Sequence, residues 1–299
     1  MRRSVLACLT VLLCLAPARG HKPQAPARGQ SPEQKKTTIE YLRNLQVKGG
    51  GFVPAADSST QSLRATSSAL RALKYFGGEA RDRAACVHFV KACFDRDSGG
   101  FTDRPGKGTP EVVTTAVGIM AVVELKMPVE DYAAPVTRYL GKHSMSFEDV
   151  RIAAAGFEAI GRLPPAPGEW LGLLKRLRNE DGTFGKGDGK ARDTGGAAVA
   201  TLRLGGKVDR EAVLKAMKAG QREDGGFGKD GAKGSDLETT YRVMRGFHML
   251  KDVPDVKKVR SFIASCRNDD GGYGVAPGQK SSASGTYFAA IILHWLDEK

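Results

Sequence analysis

The sequence predicts an all-α protein built from six helical hairpins, and two recurring features carry this prediction. The first is a Gly-Gly-aromatic turn followed 13 or 14 residues later by a threonine that opens an apolar helix: Gly50-Gly51-Phe52 with Thr66, Gly99-Gly100-Phe101 with Thr115, Gly225-Gly226-Phe227 with Thr240, and Gly271-Gly272-Tyr273 with Thr286. Gly182-Thr183-Phe184 with Thr194 is a weaker copy with a shorter spacing. The second feature is a large apolar residue ten positions after each threonine: Phe76, Leu125, Leu204, Leu250 and Leu296. Such periods indicate stacked supersecondary units.

Each unit is predicted to contain two helices of different character. An amphipathic helix leads up to the turn; the first of these begins at Ser31-Pro32, an N-cap followed by a first-turn proline, and runs through Gln46. The second helix of each unit is small or apolar on most faces, and such a helix belongs in the interior. The predicted inner helices are Ser67 to Phe76, Val112 to Leu125, Thr194 to Leu204, Thr239 to Leu250 and Ser284 to Leu296.

A sixth unit is expected between Thr115 and Thr194, which are 79 residues apart, or nearly two periods. The segment Phe147 to Leu163 has the inner-helix composition but lacks a preceding glycine pair. Six units give twelve helices. Repetition alone leaves two arrangements open, a closed ring and an open superhelix.

The N-terminus predicts an exported protein. Arg2 and Arg3 precede an apolar run from Val5 to Leu15 and then Ala16-Pro17-Ala18, the pattern of a secretory signal with its cleavage site. We therefore divide the chain into a signal peptide (1–18), a flexible lead-in (19–33) and a repeat domain (34–299). The expected location is periplasmic, cell-surface or secreted, with no transmembrane segment.

The basic charge does not indicate a nucleic-acid partner. The formal net charge is +13, but the lysines and arginines are spread along the chain and form no basic run. A nucleic-acid surface concentrates such residues on one face, so no nucleic-acid binding is expected. Three cysteines follow the signal segment: Cys86, Cys93 and Cys266. We interpret them as buried structural thiols.

Two longer phrases carry a family resemblance. Asp269 to Gln279 reads Asp-Asp-Gly-Gly-Tyr-Gly-Val-Ala-Pro-Gly-Gln, and Ser98 to Gly106 reads Ser-Gly-Gly-Phe-Thr-Asp-Arg-Pro-Gly. Both resemble the prenyltransferase and squalene-cyclase repeat family, especially the β subunits of Rab geranylgeranyltransferase type. The resemblance implies an α/α toroid, a closed ring of six hairpins, with Thr66, Thr115, Thr194, Thr240 and Thr286 near the starts of the inner helices.

The resemblance also implies a catalytic zinc held by Asp, Cys and His, and this sequence matches that set incompletely. Asp193 matches the acid, whereas Gly195 stands at the cysteine position and the histidine position falls near Val113. One carboxylate cannot hold a site that needs three protein ligands, so we predict no metal site and no cofactor. The Asp-x-Asp-Asp motif of squalene cyclases is also absent; Asp236-Leu-Glu238 is interpreted as the cap of an inner helix that begins at Leu237.

Two functional hypotheses remain. The first is a non-catalytic binding or assembly scaffold for an unknown peptide, anionic or apolar ligand, and the second is a prenyltransferase or terpene-cyclase-like enzyme acting on an isoprenoid; enzymatic activity is left open. For either, the candidate anion site at the ring mouth comprises Lys186, Lys190, Arg192 and Asp193, and the two lysines match the family's basic pair for diphosphate. The candidate cavity lining is Thr194, Thr240, Tyr241, Thr286 and Tyr287. The cavity is expected to be less aromatic than one that binds prenyl groups.

Overall fold

The computed structural model describes residues 30–298, and over this range the chain forms twelve α-helices. Backbone pairing between extended segments in the same range is limited to isolated β-bridges at the turns. The helices are α1 Pro32–Asn44, α2 Leu63–Phe76, α3 Arg83–Ala92, α4 Val112–Glu124, α5 Glu130–His143, α6 Phe147–Ala159, α7 Pro167–Arg176, α8 Lys190–Arg203, α9 Arg210–Ala219, α10 Leu237–Met249, α11 Val256–Ser265 and α12 Ala283–Asp297. A single 3₁₀ turn, Gly187–Gly189, leads directly into α8.

The even-numbered helices form an inner ring. Each of them packs against the next, from α2 through α4, α6, α8 and α10 to α12, and α12 packs in turn against α2. The odd-numbered helices pack on the even-numbered helices from outside. The prediction of a closed all-α ring of six hairpins is therefore confirmed, and the open superhelix is excluded.

Small residues allow the inner helices to approach one another closely. At the contact between α8 and α10, a Cβ added to Gly246 would lie 3.4 Å from the Cα of Gly195. A Cβ added to Gly195 would lie 3.2 Å from the Sδ of Met217 and 3.3 Å from the Cα of Val243. Both positions therefore serve helix packing, which favours glycine.

The repeated threonines hold the turns onto the inner helices. In all five copies the threonine Oγ1 accepts the backbone N–H of the turn aromatic at 2.9–3.1 Å. An unpaired N–H at such a buried position would cost about 1–3 kcal/mol. The spacing between aromatic and threonine in the sequence is thus the signature of a hydrogen bond, and each threonine lies in the first turns of its helix as predicted.

The first glycine of the turn joins one unit to the next. Gly50 has φ +87°, and a Cβ there would lie 2.1 Å from the carbonyl oxygen of Ala85 in α3. Gly271, in the last turn, also has φ +87°, and its Cβ would lie 2.7 Å from Cγ2 of Thr37 in α1. The last turn therefore packs on the first helix of the chain, which closes the ring.

Side-chain caps set the helix starts that the sequence predicts. Ser31 forms a capping box with Gln34 at α1, and Asp236 accepts the backbone N–H of Thr239 at α10. The degenerate unit is confirmed as well, because α6 begins at Phe147. It starts from a capping box between Ser146 and Asp149 in place of the glycine turn.

Part of the N-terminal prediction lies outside the described residues, namely the signal peptide 1–18 and most of the lead-in 19–33. None of the helices within residues 30–298 has both the length and the apolar character required to cross a membrane.

We expect Gly271→Ala to destabilise the protein more than Gly278→Ala does. Both glycines have positive φ, but a Cβ at Gly278 meets no atom within 4 Å, whereas at Gly271 it clashes with α1. The shared backbone strain costs about 1–2 kcal/mol. The clash should add about 1–3 kcal/mol. Urea unfolding of both variants measures the difference. Equal losses of stability would contradict the role of the last turn in closing the ring against α1.

Candidate functional site

A cavity of about 220 Å³ lies inside the ring, and its wall is basic. Five inner helices, α2, α4, α6, α8 and α10, supply the lining. Met120, Val123, Ile152 and Val199 provide the larger apolar side chains. The most frequent side chain in the wall is arginine, at Arg71, Arg151, Arg203, Arg242 and Arg245.

Arg203 is neutralised by a carboxylate on the neighbouring inner helix. Its Nη2 lies 2.7 Å from Oε2 of Glu158, and its Nε donates to the same oxygen at 2.9 Å. Burial of Glu158 opposes its ionisation, but Arg203, Arg245 and Arg71 outweigh burial and lower the pKa of Glu158. Glu158 therefore remains a carboxylate at neutral pH.

A second ion-pair network connects the cavity with the N-terminal ends of the inner helices. Arg242 lies 2.8 Å from Glu148 and 2.7 Å from Glu238, and Arg151 lies 2.9 Å from Glu148. Arg192 reaches Glu148 at 3.7 Å. Burial disfavours the Glu148 carboxylate, yet Arg151 and Arg242 lower its pKa below the usual value.

The other two cavity arginines stack on aromatic rings. The guanidinium carbon of Arg71 lies 4.4 Å from the ring centre of Tyr287. That of Arg245 lies 4.8 Å from the ring of Trp295 and 5.3 Å from the ring of Tyr241. Neither arginine has a carboxylate within ion-pair distance in the part of the chain that the structure describes. Neither guanidinium is thus paired directly with a carboxylate, although both act on Glu158 from a greater distance.

Two tyrosines complete this basic region. The hydroxyls of Tyr241 and Tyr287 lie 3.4 Å apart, within hydrogen-bonding distance. Burial disfavours ionisation of Tyr241, but the positive charges of Arg245, Arg71 and Arg203 outweigh burial and lower its pKa. Burial raises the pKa of Tyr287. The surroundings therefore favour one negative charge on the pair, at Tyr241.

The predicted site residues at the ring mouth lie together at the start of α8. Arg192 Nη1 lies 2.9 Å from Oδ1 of Asp193, and Lys190 Nζ lies 3.0 Å from Oδ2 of Asp181. Lys186 is exposed. Two of the three basic side chains in this segment are therefore already paired.

The predicted cavity-lining residues occupy two kinds of position. The threonines Thr194, Thr240 and Thr286 are fully buried, and their hydroxyls bond the turn backbone. Tyr241 belongs to the cavity wall. Tyr287 stacks against Arg71 and Tyr241 beside it. The structure thus brings the two tyrosines together and uses the threonines for the fold.

The sequence matches the model of a family described as "Prenyltransferase alpha-alpha toroid domain" over residues 24–138 and 156–299. The chain belongs to this prenyltransferase toroid family. The gap between the two matched ranges, residues 139–155, falls at the end of α5 and in α6, within the degenerate unit. A search of curated proteins finds no match.

Solved structures show the same fold at low sequence identity. Protein geranylgeranyltransferase-I from Candida albicans, in complex with GGPP, is 13% identical with a TM-score of 0.67, over 89% of this chain and 92% of that one. The type II terpene cyclase MstE from Scytonema is 11% identical with a TM-score of 0.59, over 89% and 97%. A protein from Actinoplanes is 15% identical with a TM-score of 0.60, over 89% and 98%.

The zinc of the protein prenyltransferases does not fit the matching residues of this family member. Asp193 is engaged by Arg192, and Gly195, at the cysteine position, offers no ligand atom and lies in a close helix contact where an added Cβ would come within 3.2 Å of the Met217 Sδ. Val113 offers no donor atom. Within residues 30–298 no three His, Cys, Asp or Glu side chains are grouped closely enough to hold a metal.

The thiols of this toroid are poor nucleophiles. Cys86, Cys93 and Cys266 are buried and unbonded to one another, as expected for structural thiols. Burial raises the pKa of each to about 12. Since the thiolate is the reactive form, these cysteines are unreactive at neutral pH.

We expect Tyr241→Phe to change the pH dependence of stability. A tyrosine whose pKa is lower in the folded than in the unfolded chain stabilises the fold increasingly as pH rises toward its ordinary pKa of about 10. Above neutrality, the free energy of unfolding of the wild type should therefore rise relative to that of the variant by up to about 1.4 kcal/mol per pH unit. Urea unfolding at a series of alkaline pH values measures this gain.

Tyr132→Phe is the matched control for this measurement. Burial, reinforced by Asp131, raises the pKa of Tyr132. Removing the Tyr132 hydroxyl should therefore leave the slope of the unfolding free energy against pH unchanged in the same pH range. Parallel stability curves for the wild type and Tyr241→Phe would contradict an arginine-stabilised phenolate.

Proposed function

We propose that this prenyltransferase toroid is an exported, non-catalytic binding or assembly scaffold that holds a small anionic ligand inside its ring. The observation that carries the proposal is the wall of five arginines around the cavity, two of them without a carboxylate. Guanidinium groups bind carboxylates and phosphates through paired hydrogen bonds. An anion that enters this cavity would exchange its hydrogen bonds from water for hydrogen bonds from guanidinium groups. The fold already holds these groups in place.

The size and polarity of the cavity support a small anion over a long isoprenoid. Pockets that bury drug-sized ligands typically measure about 300–1,000 Å³ and are mostly apolar. This cavity is about 220 Å³. The rings of Tyr241, Tyr287 and Trp295 are already contacted by arginines, so less aromatic surface is left for an apolar chain.

The chemistry of the donor groups supports a role without catalysis. The positions that match the zinc ligands carry a paired Asp193, a tightly packed Gly195 and Val113. The three described thiols are buried and protonated at neutral pH. These features leave residues 30–298 without the usual means of activating a cysteine substrate.

Export is part of the proposal and rests on the first eighteen residues. The charged start, the apolar run and the Ala16-Pro17-Ala18 site support a cleaved signal, which would place the ring in the periplasm, at the cell surface or outside the cell. A peptide partner remains compatible with the ring mouth, where Lys186, Lys190 and Arg192 lie beside Asp193.

The alternative is an enzyme that acts on an isoprenoid. It is favoured by the similarity to a geranylgeranyltransferase in complex with GGPP and to a terpene cyclase. In this alternative Lys186 and Lys190 would contact the diphosphate, and Tyr241 and Tyr287 would contact the apolar chain.

One experiment separates the two functions. The mature chain, starting after Ala18, is titrated calorimetrically with acetate, sulfate and inorganic phosphate, and is incubated separately with labelled geranylgeranyl diphosphate and a cysteine peptide, with and without zinc. We expect anion binding and no transfer. Val199→Trp should abolish binding because the larger ring fills the cavity, whereas Val113→Trp, at an exposed position, should not.

Transfer that is lost in Asp193→Ala would overturn the scaffold in favour of the enzyme. If the wild type neither binds an anion nor transfers the prenyl group, the proposal fails. Thermal unfolding of each variant verifies that it is folded.

A further inference from the structure

We propose that Arg71 and Arg245 together form the binding site for the phosphate group of a phosphate monoester that carries a short apolar substituent. This inference rests on the proposed function, because it names the ligand class of the same cavity. It assigns the phosphate to the cavity interior and not to the lysines of the ring mouth.

The two arginines lie on either side of one helix. Arg71 is on α2 and Arg245 is on α10, and α12 packs between these two helices. Tyr287 and Trp295 of α12 stack under the respective guanidinium groups at 4.4 Å and 4.8 Å. Stacking on a ring orients the guanidinium plane without using its N–H groups. The Tyr241 hydroxyl is a further partner for Arg245, whose Nε is left without one.

The unused donors distinguish this pair from the other cavity arginines. Nε of Arg245 is buried and has no hydrogen-bond partner. Nη1 of Arg71 contacts the Sδ of Met120 at 3.5 Å, and a thioether is a weak acceptor. Arg203, by contrast, donates twice to Glu158. A buried guanidinium donor without a partner is costly, and a bound oxyanion would satisfy it.

Two guanidinium groups without a paired carboxylate suit a doubly charged ligand, which would take the place of the negative charge that they favour on Tyr241. A phosphate monoester carries about −1.5 to −2 charges at neutral pH and has three acceptor oxygens. It can therefore accept hydrogen bonds from two guanidinium groups at once. A monoanion of the same shape would attract the two guanidinium groups less strongly than the dianion.

The rest of the cavity wall indicates the substituent. Met120, Val123, Ile152 and Val199 supply apolar surface from α4, α6 and α8, the helices away from α12. In a cavity of about 220 Å³ this surface fits a short alkyl or similarly small group.

The test compares three ligands that share one alkyl chain: n-butyl phosphate, n-butyl sulfate and n-butanol. Calorimetry at about pH 8 keeps the phosphate doubly charged, since its second pKa is about 6. We expect butyl phosphate to bind the mature chain at least about tenfold more tightly than butyl sulfate, and butanol not to bind detectably.

Single substitutions then locate the site. Arg71→Gln and Arg245→Gln should each weaken butyl phosphate binding by about tenfold or more. Arg138→Gln, on the exposed face of α5, removes the same charge outside the cavity and should leave the affinity unchanged. Met120→Glu places a carboxylate beside Arg71 and should abolish phosphate binding while the protein remains folded.

The outcomes separate this inference from the proposed function. Equal affinities for butyl phosphate and butyl sulfate would overturn the phosphate assignment while leaving an anion-binding toroid. Phosphate binding that survives both arginine variants but is lost in Lys186→Gln or Lys190→Gln would overturn the site and move it to the ring mouth. If no anion binds at all, both proposals fail.

Discussion

The closed ring depends on how each turn is attached to an inner helix and to the next outer helix. The backbone N–H of the turn aromatic is buried with its side chain, and the threonine hydroxyl is the acceptor that satisfies it. The preceding glycine allows the turn to contact the neighbouring unit at a distance that no side chain permits. Because the last turn makes this contact with α1, the same local interaction that joins the units also closes the ring.

Closure determines what the ring interior can contain. The six inner helices form one wall, so residues at equivalent positions of different repeats face the same small space. The position five residues after the threonine lines the cavity in four copies, as Arg71, Met120, Val199 and Arg245. Burying arginine in such a space is unfavourable without compensation. The protein compensates three of the five with glutamates and stacks the other two on rings.

Family membership therefore identifies the fold of this toroid, whereas the side chains around the cavity determine what its site can do. The turns, threonines and glycines of the family phrase are retained because they build the ring, and a likeness in fold does not transfer a function. At Gly195 the close packing of α8 against α10 and Met217 favours glycine at the position where the zinc-binding cysteine would stand. The basic cavity wall is formed by side chains that lie outside the repeated phrase.

By itself the sequence determined the six helical hairpins of this protein. The spacing of turn aromatics and threonines reflects a hydrogen bond within one hairpin, so a linear pattern was sufficient to predict it. The degenerate unit at α6 followed from the gap of nearly two periods between Thr115 and Thr194. The packing of α12 on α2 and the meeting of Arg71 with Arg245 were decided only by the tertiary structure, because these residues are far apart in the chain. Reading the repeats in register would have revealed that both arginines occupy the same position of two inner helices, five residues after the threonine. Which of the cavity arginines are neutralised still could not have been inferred, because Glu148 and Glu158 reach them only when the inner helices stand side by side.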